Sequence, residues 1–414
     1  MARTMKGAML LGPEEIEVRD LPVPEPDDGE IILAVEAATT CGTDVKVFKR
    51  GGHPRMLKVP TLFGHEMAGR VAARGKGVTK FTEGQSVVVA NSAPCGECDY
   101  CKRGRENLCT DLQYLNGAFA EYVRVPARFV DRNTYKIPAG LDFGKAALTE
   151  PLACVLHGMD ACELDKYGPG AEVVLFGAGP IGLLFVGALA RAGHKVILAD
   201  PNPPRLAVGK ELGAWKTVQI ERGGGQAEKV KAMTSGGDGA WVGVDASGVP
   251  EVWLDAISVV RPGGLVNLFG GCAPGTSIPL DTHAVHYSEL TIKGVYHHRP
   301  DTIRRALEML ADPSYRMVLM DEINIVLRYG YLPVEEVVEG LSRRHPDTHV
   351  IATGRNAPDA LIEAADLVTQ KAARLFDEGR PCGPEANAAK YLASDAGFEA
   401  ADRAMQFHGG FSMS

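Results

Sequence analysis

Three short groups of residues carry side chains that together suit a transition metal. They are Cys41 within Cys-Gly-Thr-Asp, the pair His65-Glu66 after Gly64, and Glu150 before Pro151. A thiolate, an imidazole and a carboxylate suit zinc and leave one coordination position for water or a substrate. Each residue taken alone is more often a small core residue or a satisfied polar group. Only together would they form a catalytic site, at which a bound hydroxyl loses its proton near neutral pH.

Four further cysteines stand close together at Cys95, Cys98, Cys101 and Cys109, with a repeated three-residue interval. Four thiolates at such a spacing can surround one tetrahedral zinc without an open position, which defines a structural site. Packing gives no reason for the repeated interval, so unrelated free thiols are the weaker interpretation. The total of 9 cysteines is odd, and no secretory pattern opens the sequence. Metal binding is therefore favoured over a disulfide framework.

A glycine-rich turn follows the apolar run Val173–Phe176 and precedes an apolar helical stretch. The residues of the turn are Gly177, Ala178, Gly179, Pro180, Ile181 and Gly182. In this context the glycines let the backbone approach a pyrophosphate, whose charge the helix N-terminus favours. Asp200, at the end of the next predicted strand, would bind the ribose hydroxyls and repel a 2′-phosphate, which predicts NAD. Arg205 leaves some tolerance for NADP, and a helix cap before Pro203 is the alternative interpretation of Asp200.

The elements that would position these residues change in character near residue 170. Before it, short β-type runs such as Glu30–Ala34 and Ser86–Ala90 alternate with Gly/Pro turns, which is typical of an irregular antiparallel β domain. After it, apolar strands such as Val196–Ala199 and Val242–Asp245 alternate with helical stretches, which predicts a parallel sheet. The predicted fold class is α/β, with an antiparallel β catalytic domain and zinc lobe, a Rossmann-type doubly wound sheet, and a mostly helical C-terminal extension.

Composition and charge argue against several other classes of protein. The 414 residues carry a formal net charge of -8, with 45% hydrophobic and 23% charged residues, which is ordinary for a globular protein. The charges are spread along the chain, so neither a nucleic-acid partner nor a membrane anchor is expected. The uncharged stretch 173–190 reaches the lower length limit of a membrane span, but its glycines favour a buried strand-turn-helix. The start of the sequence resembles no leader peptide, so a cytoplasmic location is expected.

Residues 1–312 resemble the zinc-dependent medium-chain alcohol and polyol dehydrogenases, in particular the sorbitol and threonine types. The resemblance lies in Cys-Gly-Thr-Asp followed by Gly-His-Glu, in Glu-Pro-Leu, in the four-cysteine cluster and in the glycine-rich turn. It implies that Cys41, His65 and Glu66 are ligands of a catalytic zinc. Glu150 would be a fourth ligand or a partner of the bound water, alternating with Glu66. The four-cysteine cluster would hold a second, structural zinc.

The same resemblance implies a reaction and a proton path. The reaction is the reversible, NAD-linked oxidation of a secondary alcohol or polyol to the ketone by hydride transfer, in a homodimer or homotetramer. Thr43 would pass the alcohol proton outward. Lys46 stands near the place where many members of the family have a histidine, so water, the cofactor ribose or His53 could complete the relay.

Two other resemblances follow towards the C-terminus. Residues 317–369, including Tyr329–Val337 and Val350–Arg355, resemble cobalamin adenosyltransferases. The phosphate loop of that family is missing from the sequence. The phosphates of ATP would therefore have no binding loop, and no adenosyl transfer is expected. Residues 371–414, including Met405–Phe411, resemble a helical part of acyl-CoA dehydrogenases, but so short a segment cannot enclose a flavin.

These patterns predict four segments and leave two alternatives to an active dehydrogenase. The segments are a catalytic zinc domain over 1–155 with a zinc lobe at 91–112, an NAD-binding domain over 156–298, an adenosyltransferase-like segment over 299–369, and a helical tail over 370–414. Within the third segment, Tyr331–Val337 could supply a helix and Thr348–Ala352 a strand that return to the catalytic domain. The alternatives are a mosaic that binds NAD and zinc but is catalytically impaired, and a cobalamin adenosyltransferase.

Overall fold

The computed structural model describes residues 3–312, 317–320, 333–342 and 349–352. The chain divides into two units, Met1–Pro313 and Ser314–Ser414. Within the described ranges, no helix is both long enough and apolar enough to cross a membrane. The uncharged stretch 173–190 forms a strand and then a helix, as its glycines predict.

Antiparallel strands and short helices make up the chain from Thr4 to Ala147. In order they are β1 (Thr4–Gly12), β2 (Glu15–Pro22), β3 (Ile31–Thr39), α1 (Gly42–Arg50), β4 (Thr61–Leu62), β5 (Glu66–Arg74), β6 (Ser86–Val89), β7 (Ser92–Ala93), α2 (Asp99–Lys102), a 3-10 turn (Glu106–Leu108), β8 (Gln113–Tyr114), β9 (Tyr122–Val125), α3 (Ala127–Arg132), β10 (Thr134–Lys136) and α4 (Phe143–Ala147). The strands form sheets in the orders β2-β1-β4, β10-β6-β5-β3-β9 and β7-β8. Ile31, Val87 and Phe129 are among the fully buried residues that pack the interior of this β domain.

The rest of the first unit alternates strands with helices. Its elements are α5 (Thr149–Ala161), a 3-10 turn (Leu164–Tyr167), β11 (Glu172–Phe176), α6 (Pro180–Arg191), β12 (Lys195–Asp200), α7 (Pro203–Glu211), β13 (Lys216–Gln219), α8 (Ala227–Lys231), a 3-10 turn (Ser235–Gly237), β14 (Ala240–Asp245), α9 (Pro250–Ser258), β15 (Val260–Leu268), α10 (Thr282–Tyr287), β16 (Thr291–Gly294) and α11 (Pro300–Ala311). The six strands are parallel, in the order β13-β12-β11-β14-β15-β16. The order reverses between β11 and β14, where doubly wound sheets bind dinucleotides. The predicted α/β fold, with an antiparallel and a parallel part, is confirmed.

Two helices begin at residues that the sequence singles out for chemistry. Cys41 caps α1, and Gly51, in the left-handed conformation with φ 70°, ends that helix. Gly179 precedes α6, and Pro180 is in its first turn, where a missing N–H costs nothing. Because helix N-termini favour negative charge, these two positions suit a thiolate and a phosphate respectively.

Helix α5 connects the antiparallel part with the parallel sheet. Glu150 lies in its first turn, while near its other end Asp160 pairs with Arg299 and Arg305 of the segment around α11. Asn267 of β15 donates a hydrogen bond to the carbonyl oxygen of Gly158 at 2.8 Å. The two ends of α5 are therefore held by different parts of the fold.

The second unit contributes three described elements. They are β17 (Met317–Met320), α12 (Val334–Ser342) and β18 (His349–Ala352), and the two strands pair in parallel. The helix and strand predicted over 331–337 and 348–352 overlap α12 and β18. Most of the predicted helical extension, including the tail 370–414, lies outside the described residues, and the predicted domain boundaries stay predictions.

Candidate active site

Cys41 and His65 lie together at the N-terminal end of α1. The sulfur of Cys41 is 3.4 Å from Nε2 of His65, and it accepts a hydrogen bond from the backbone N–H of Thr43 at 3.2 Å. On the other side of the ring, Nδ1 of His65 lies 2.9 Å from Oδ1 of Asp44. An Nδ1–H···carboxylate bond fixes the tautomer in which Nε2 keeps its lone pair, which is the arrangement of a metal-ligating histidine. Burial acts against it, but the bonds with Asp44 and Cys41 raise the pKa of the metal-free His65 well above its ordinary value.

Two buried carboxylates face this pair. Ligand atoms of His65, Glu66 and Glu150 lie within 4.8 Å of one another. Oε2 of Glu66 accepts a hydrogen bond from the Thr39 hydroxyl, and Oε1 of Glu150 accepts one from Nδ2 of Asn91 at 3.0 Å. Burial, reinforced by the Glu66 charge, raises the pKa of Glu150 to about 7, and burial also raises the pKa of Glu66. Two buried carboxylates this close are stabilised either by a proton held on one of them or by a cation bound between them.

The donor set fits zinc. Oε1 of Glu66 is fully buried and has no hydrogen-bond partner among the described residues, which is the expected state of an oxygen that awaits a metal. A thiolate, an imidazole nitrogen and carboxylate oxygens are all ligands that zinc accepts. The structure thus brings together Cys41, His65, Glu66 and Glu150 as the sequence predicts, while their roles as ligands stay proposals.

Two residues of the predicted proton path, Thr43 and Lys46, lie in α1, and His53 follows that helix. Thr43 is half-buried in the first turn of α1, and Lys46 is exposed. Nδ1 of His53 accepts hydrogen bonds from the backbone N–H groups of Arg55 and Met56. Burial and nearby arginines lower the pKa of His53. The role of Thr43 in proton transfer stays a prediction.

The second predicted metal site is a cluster of four sulfur atoms. Cys95 and Cys109 are 3.4 Å apart, Cys98 and Cys101 3.5 Å, and Cys95 and Cys101 3.9 Å, measured between sulfurs. Zinc–sulfur bonds of about 2.3 Å place the corners of a tetrahedron about 3.8 Å apart, so the cluster is close to the size that zinc requires. Backbone hydrogen bonds from Cys101 and Thr110 lower the pKa of Cys98 to about 6, whereas burial raises the pKa of Cys101 to about 12.

The glycine-rich turn has the close contacts that a dinucleotide site needs. A Cβ on Gly182 would lie 1.8 Å from the carbonyl oxygen of Gly177, and Gly177 has φ +99°. Asp200 is 5% exposed, and its Oδ2 accepts a hydrogen bond from the N–H of Ala178 within the turn at 2.7 Å. The carboxylate therefore reaches the turn itself, where a ribose would lie. The alternative interpretation of Asp200 is wrong, because Asn202 caps α7.

The remaining predicted cofactor residues surround this turn. Gly179 and Pro180 form the start of α6, Ile181 is half-buried there, and Arg205 lies in the first turn of α7 with a half-buried side chain. The structure thus groups the predicted cofactor residues at the carboxyl ends of β11 and β12, while their binding roles stay proposals.

Several residues near the metal-ligand set escape sequence reasoning. Asp44 could have been recognised, because it follows Cys41 within the same short motif. Asn91, His297 and His298 have no such signal. His298 contacts Asn91 although the two are 207 positions apart in the chain, and ligand atoms of His297, Glu150 and Cys154 lie within 4.8 Å of one another. These residues form a polar wall beside the metal-ligand set.

Comparison with known protein families agrees with this geometry. Residues 27–138 match the model of the alcohol dehydrogenase GroES-like domain, and residues 180–312 match that of the zinc-binding dehydrogenases. Residues 293–380 match the ATP:corrinoid adenosyltransferases, and residues 358–414 match the C-terminal domain of acyl-CoA dehydrogenases. Both C-terminal resemblances that the sequence suggests are confirmed, although most of those residues lie outside the described ranges.

Individual relatives include dehydrogenases of known name. The chain is 33% identical to sorbitol dehydrogenase of Bacillus subtilis (strain 168) over 318 residues, 75% of this chain and 86% of the relative. It is 32% identical to L-threonine 3-dehydrogenase of the same strain over 328 residues, 78% of this chain and 89% of the relative.

Solved structures show the same likeness. Alcohol dehydrogenase TADH from Thermus sp. ATN1 has a TM-score of 0.68 at 26% identity, over 80% of this chain and 97% of that one. A protein from Sinorhizobium meliloti 1021, described as a zinc-binding dehydrogenase and bound to NADP, has a TM-score of 0.68 at 28% identity, over 84% and 98% of the two chains.

The fold and the site define an NAD(P)-dependent dehydrogenase of the alcohol and polyol class. With these relatives and family matches, the chain belongs to the medium-chain zinc-type dehydrogenase family.

Proposed function

We propose that the protein oxidises a secondary alcohol or polyol to the ketone, reversibly, by hydride transfer to NAD at a zinc ion. Cys41, His65 and Glu66 would bind this ion, and Glu150 would be a fourth ligand or a partner of the bound water, alternating with Glu66. The observation that carries this proposal is the meeting of a thiol, a metal-facing imidazole nitrogen and two buried carboxylates, one of which has an oxygen without a partner in the described part of the chain. The balanced reaction converts alcohol and NAD⁺ into ketone, NADH and a proton.

A zinc ion bound here would supply Lewis acidity that lowers the pKa of a hydroxyl group or polarises a carbonyl. The chain's own residues prepare the site. Asp44 orients the ring of His65, the N-terminal end of α1 stabilises negative charge on Cys41, and burial of Glu66 and Glu150 excludes water. Thr43, two residues beyond Cys41, is proposed to move the substrate proton outward. The four-cysteine cluster is proposed to hold a second, structural zinc.

The polar wall supports a substrate with more than one polar group. Nε2 of His297 lies 2.7 Å from the hydroxyl of Ser92, and its backbone oxygen accepts a hydrogen bond from Nδ1 of His157. His297 also has φ +63°, a conformation that costs energy in a residue other than glycine and is common at functional sites. A held imidazole beside Glu150 can bind a second hydroxyl, which favours polyols or amino alcohols over simple secondary alcohols. The names of the sorbitol and threonine relatives agree with this choice.

The dinucleotide site supports a preference for NAD. The Asp200 carboxylate is buried against the glycine-rich turn, so a 2′-phosphate placed there would meet a like charge. Arg205 leaves a tolerance for NADP, the cofactor of the Sinorhizobium structure. A homodimer or homotetramer and a cytoplasmic location also stay proposals.

The test combines metal content with turnover. Purified protein is assayed for zinc and for NAD reduction with a panel of polyols, amino alcohols and secondary alcohols, and then with NADP in place of NAD. We expect two zincs per chain, turnover with a polyol or amino alcohol, and a higher kcat/KM for NAD. Cys41→Ser should abolish turnover and leave NAD binding nearly unchanged. The control is Cys162→Ser, which replaces a buried cysteine outside both proposed metal sites and should stay active. Two zincs without turnover on any substrate would instead support the impaired mosaic.

A further inference from the structure

A chain of buried hydrogen bonds ends on the carboxylate of Glu150. Asn91, between β6 and β7, is 1% exposed, and His298, beyond β16, is also 1% exposed. Nδ2 of Asn91 donates to Oε1 of Glu150 at 3.0 Å, while Oδ1 of Asn91 lies 2.7 Å from Nε2 of His298. The three residues come from the β domain, from α5 and from the exit of the parallel sheet.

The chemistry of the three side chains decides which group donates and which accepts in each of these hydrogen bonds. A carboxylate beside a bound metal is ionised and can only accept, so the amide nitrogen of Asn91 must face Glu150 and its oxygen must face His298. The oxygen accepts in turn, so Nε2 of His298 carries a proton. Nδ1 of His298 is buried and has no partner among the residues that the structure describes. Burial, with the neighbouring histidines, lowers the pKa of His298 well below its ordinary value, in agreement with a neutral ring.

The contacts also distinguish the two oxygens of Glu150. Asn91 at 3.0 Å, the Cys154 sulfur at 3.8 Å and Nε2 of His298 at 3.7 Å all approach Oε1. Among the described residues no hydrogen bond to Oε2 is found, so this oxygen is free to interact with the metal or with water bound to it. The carboxylate can swing only if it breaks the bond from Asn91.

We propose that Asn91 and His298 are positioning residues that hold Glu150 with Oε2 towards the catalytic metal and so set how that carboxylate takes part in coordination. The proposal rests on the proposed function, because it presupposes a catalytic metal next to Glu150. It gives the exit of the parallel sheet a direct influence on the metal site, since His298 lies four residues beyond β16.

A purely structural role for Asn91 would predict something different. In that case its loss would lower the free energy of unfolding and leave the metal environment as it was. A positioning role predicts a change in metal binding and in metal spectroscopy, because partners of metal ligands typically contribute 10- to 100-fold in metal affinity or activity.

The experiment uses the full chain with cobalt in place of the catalytic zinc. The visible absorption of cobalt reports ligand geometry, and titration gives its dissociation constant. We expect Asn91→Leu and His298→Leu each to weaken cobalt binding about 10- to 100-fold and to alter the spectrum. His298→Gln keeps a donor for Asn91, so this variant should retain most of the wild-type cobalt affinity and of the wild-type spectrum. The matched control is Asn267→Leu, which removes another buried amide that holds the far end of α5 and should leave the spectrum unchanged.

The outcomes separate the two proposals. If the wild-type protein binds metal only at the four cysteines, the proposed function and the positioning role fall together. If the wild type binds cobalt at both places and Asn91→Leu keeps its spectrum and affinity, only the positioning role is overturned. Should Asn91→Leu fail to fold, the pair His298→Leu and His298→Gln decides, and equal spectra in these two variants refute the role.

Discussion

Asp44→Asn is the sharpest perturbation of the proposed catalytic site, because it changes one oxygen into a nitrogen. Asp44 uses Oδ2 to accept from the Cys41 N–H at 3.0 Å and Oδ1 to accept from Nδ1 of His65 at 2.9 Å. The side chains of Asp44 and His65 are only 3% and 5% exposed, so solvent screens this contact little. An asparagine has one accepting oxygen for two donors. Either the helix cap or the histidine bond must fail.

The magnitude follows from the bond that is lost. A buried hydrogen bond to a charged group contributes about 1.5–3 kcal/mol. If the amide nitrogen faces His65, the ring is driven to the other tautomer, in which a proton occupies the Nε2 that faces Cys41. We therefore expect the dissociation constant of the catalytic zinc to rise about 10- to 100-fold, since about 1.4 kcal/mol corresponds to a factor of ten.

The assay is zinc competition with a chromophoric chelator, which resolves the weaker metal from the structural one. Asp99→Asn is the control, because Asp99 pairs with Arg103 on the surface, with side chains 73% and 70% exposed, and surface pairs contribute little. An unchanged zinc affinity in Asp44→Asn would refute the role assigned to this contact.

Two further predictions concern proton and cofactor binding. Because burial raises the pKa of Glu150 from 4.5 to about 7, the folded metal-free protein retains a proton that the unfolded chain loses. Its free energy of unfolding should then fall as pH rises through that window, and Glu150→Gln should flatten the fall in denaturant melts; an identical slope would contradict the assignment. Gly182→Ala places a Cβ 1.8 Å from the backbone oxygen of Gly177 and should weaken NAD binding at least about tenfold. Titration of Gly187→Ala, where a Cβ would meet no described residue within 4 Å, should show wild-type affinity.

Local patterns predict the parts of this protein whose chemistry depends on neighbours in the chain. The four cysteines, the glycine-rich turn and the residues around Cys41 each occupy a short segment, so their spacing already constrains their geometry. The alternation of strands and helices after residue 170 likewise predicts the parallel sheet, because each crossover is a local unit.

Contacts between distant segments escape such reasoning. Nothing near Asn91 in sequence indicates that its amide meets Glu150, and nothing near His298 indicates that it meets Asn91. Those pairings depend on how the parallel sheet returns to the β domain, and a polar residue in a loop has no periodicity to reveal it.

Helix α5 also has a consequence for which changes in chain length the fold can accept. Glu150 at one end belongs to the metal-ligand set, and Asp160 near the other end forms ion pairs with Arg299 and Arg305. Each residue added to or removed from an α-helix rotates one end against the other by about 100° and shifts it by about 1.5 Å. A single insertion between Glu150 and Asp160 would turn the Glu150 carboxylate away from the metal-ligand set or break the ion pairs of Asp160, so this stretch should not tolerate insertions or deletions.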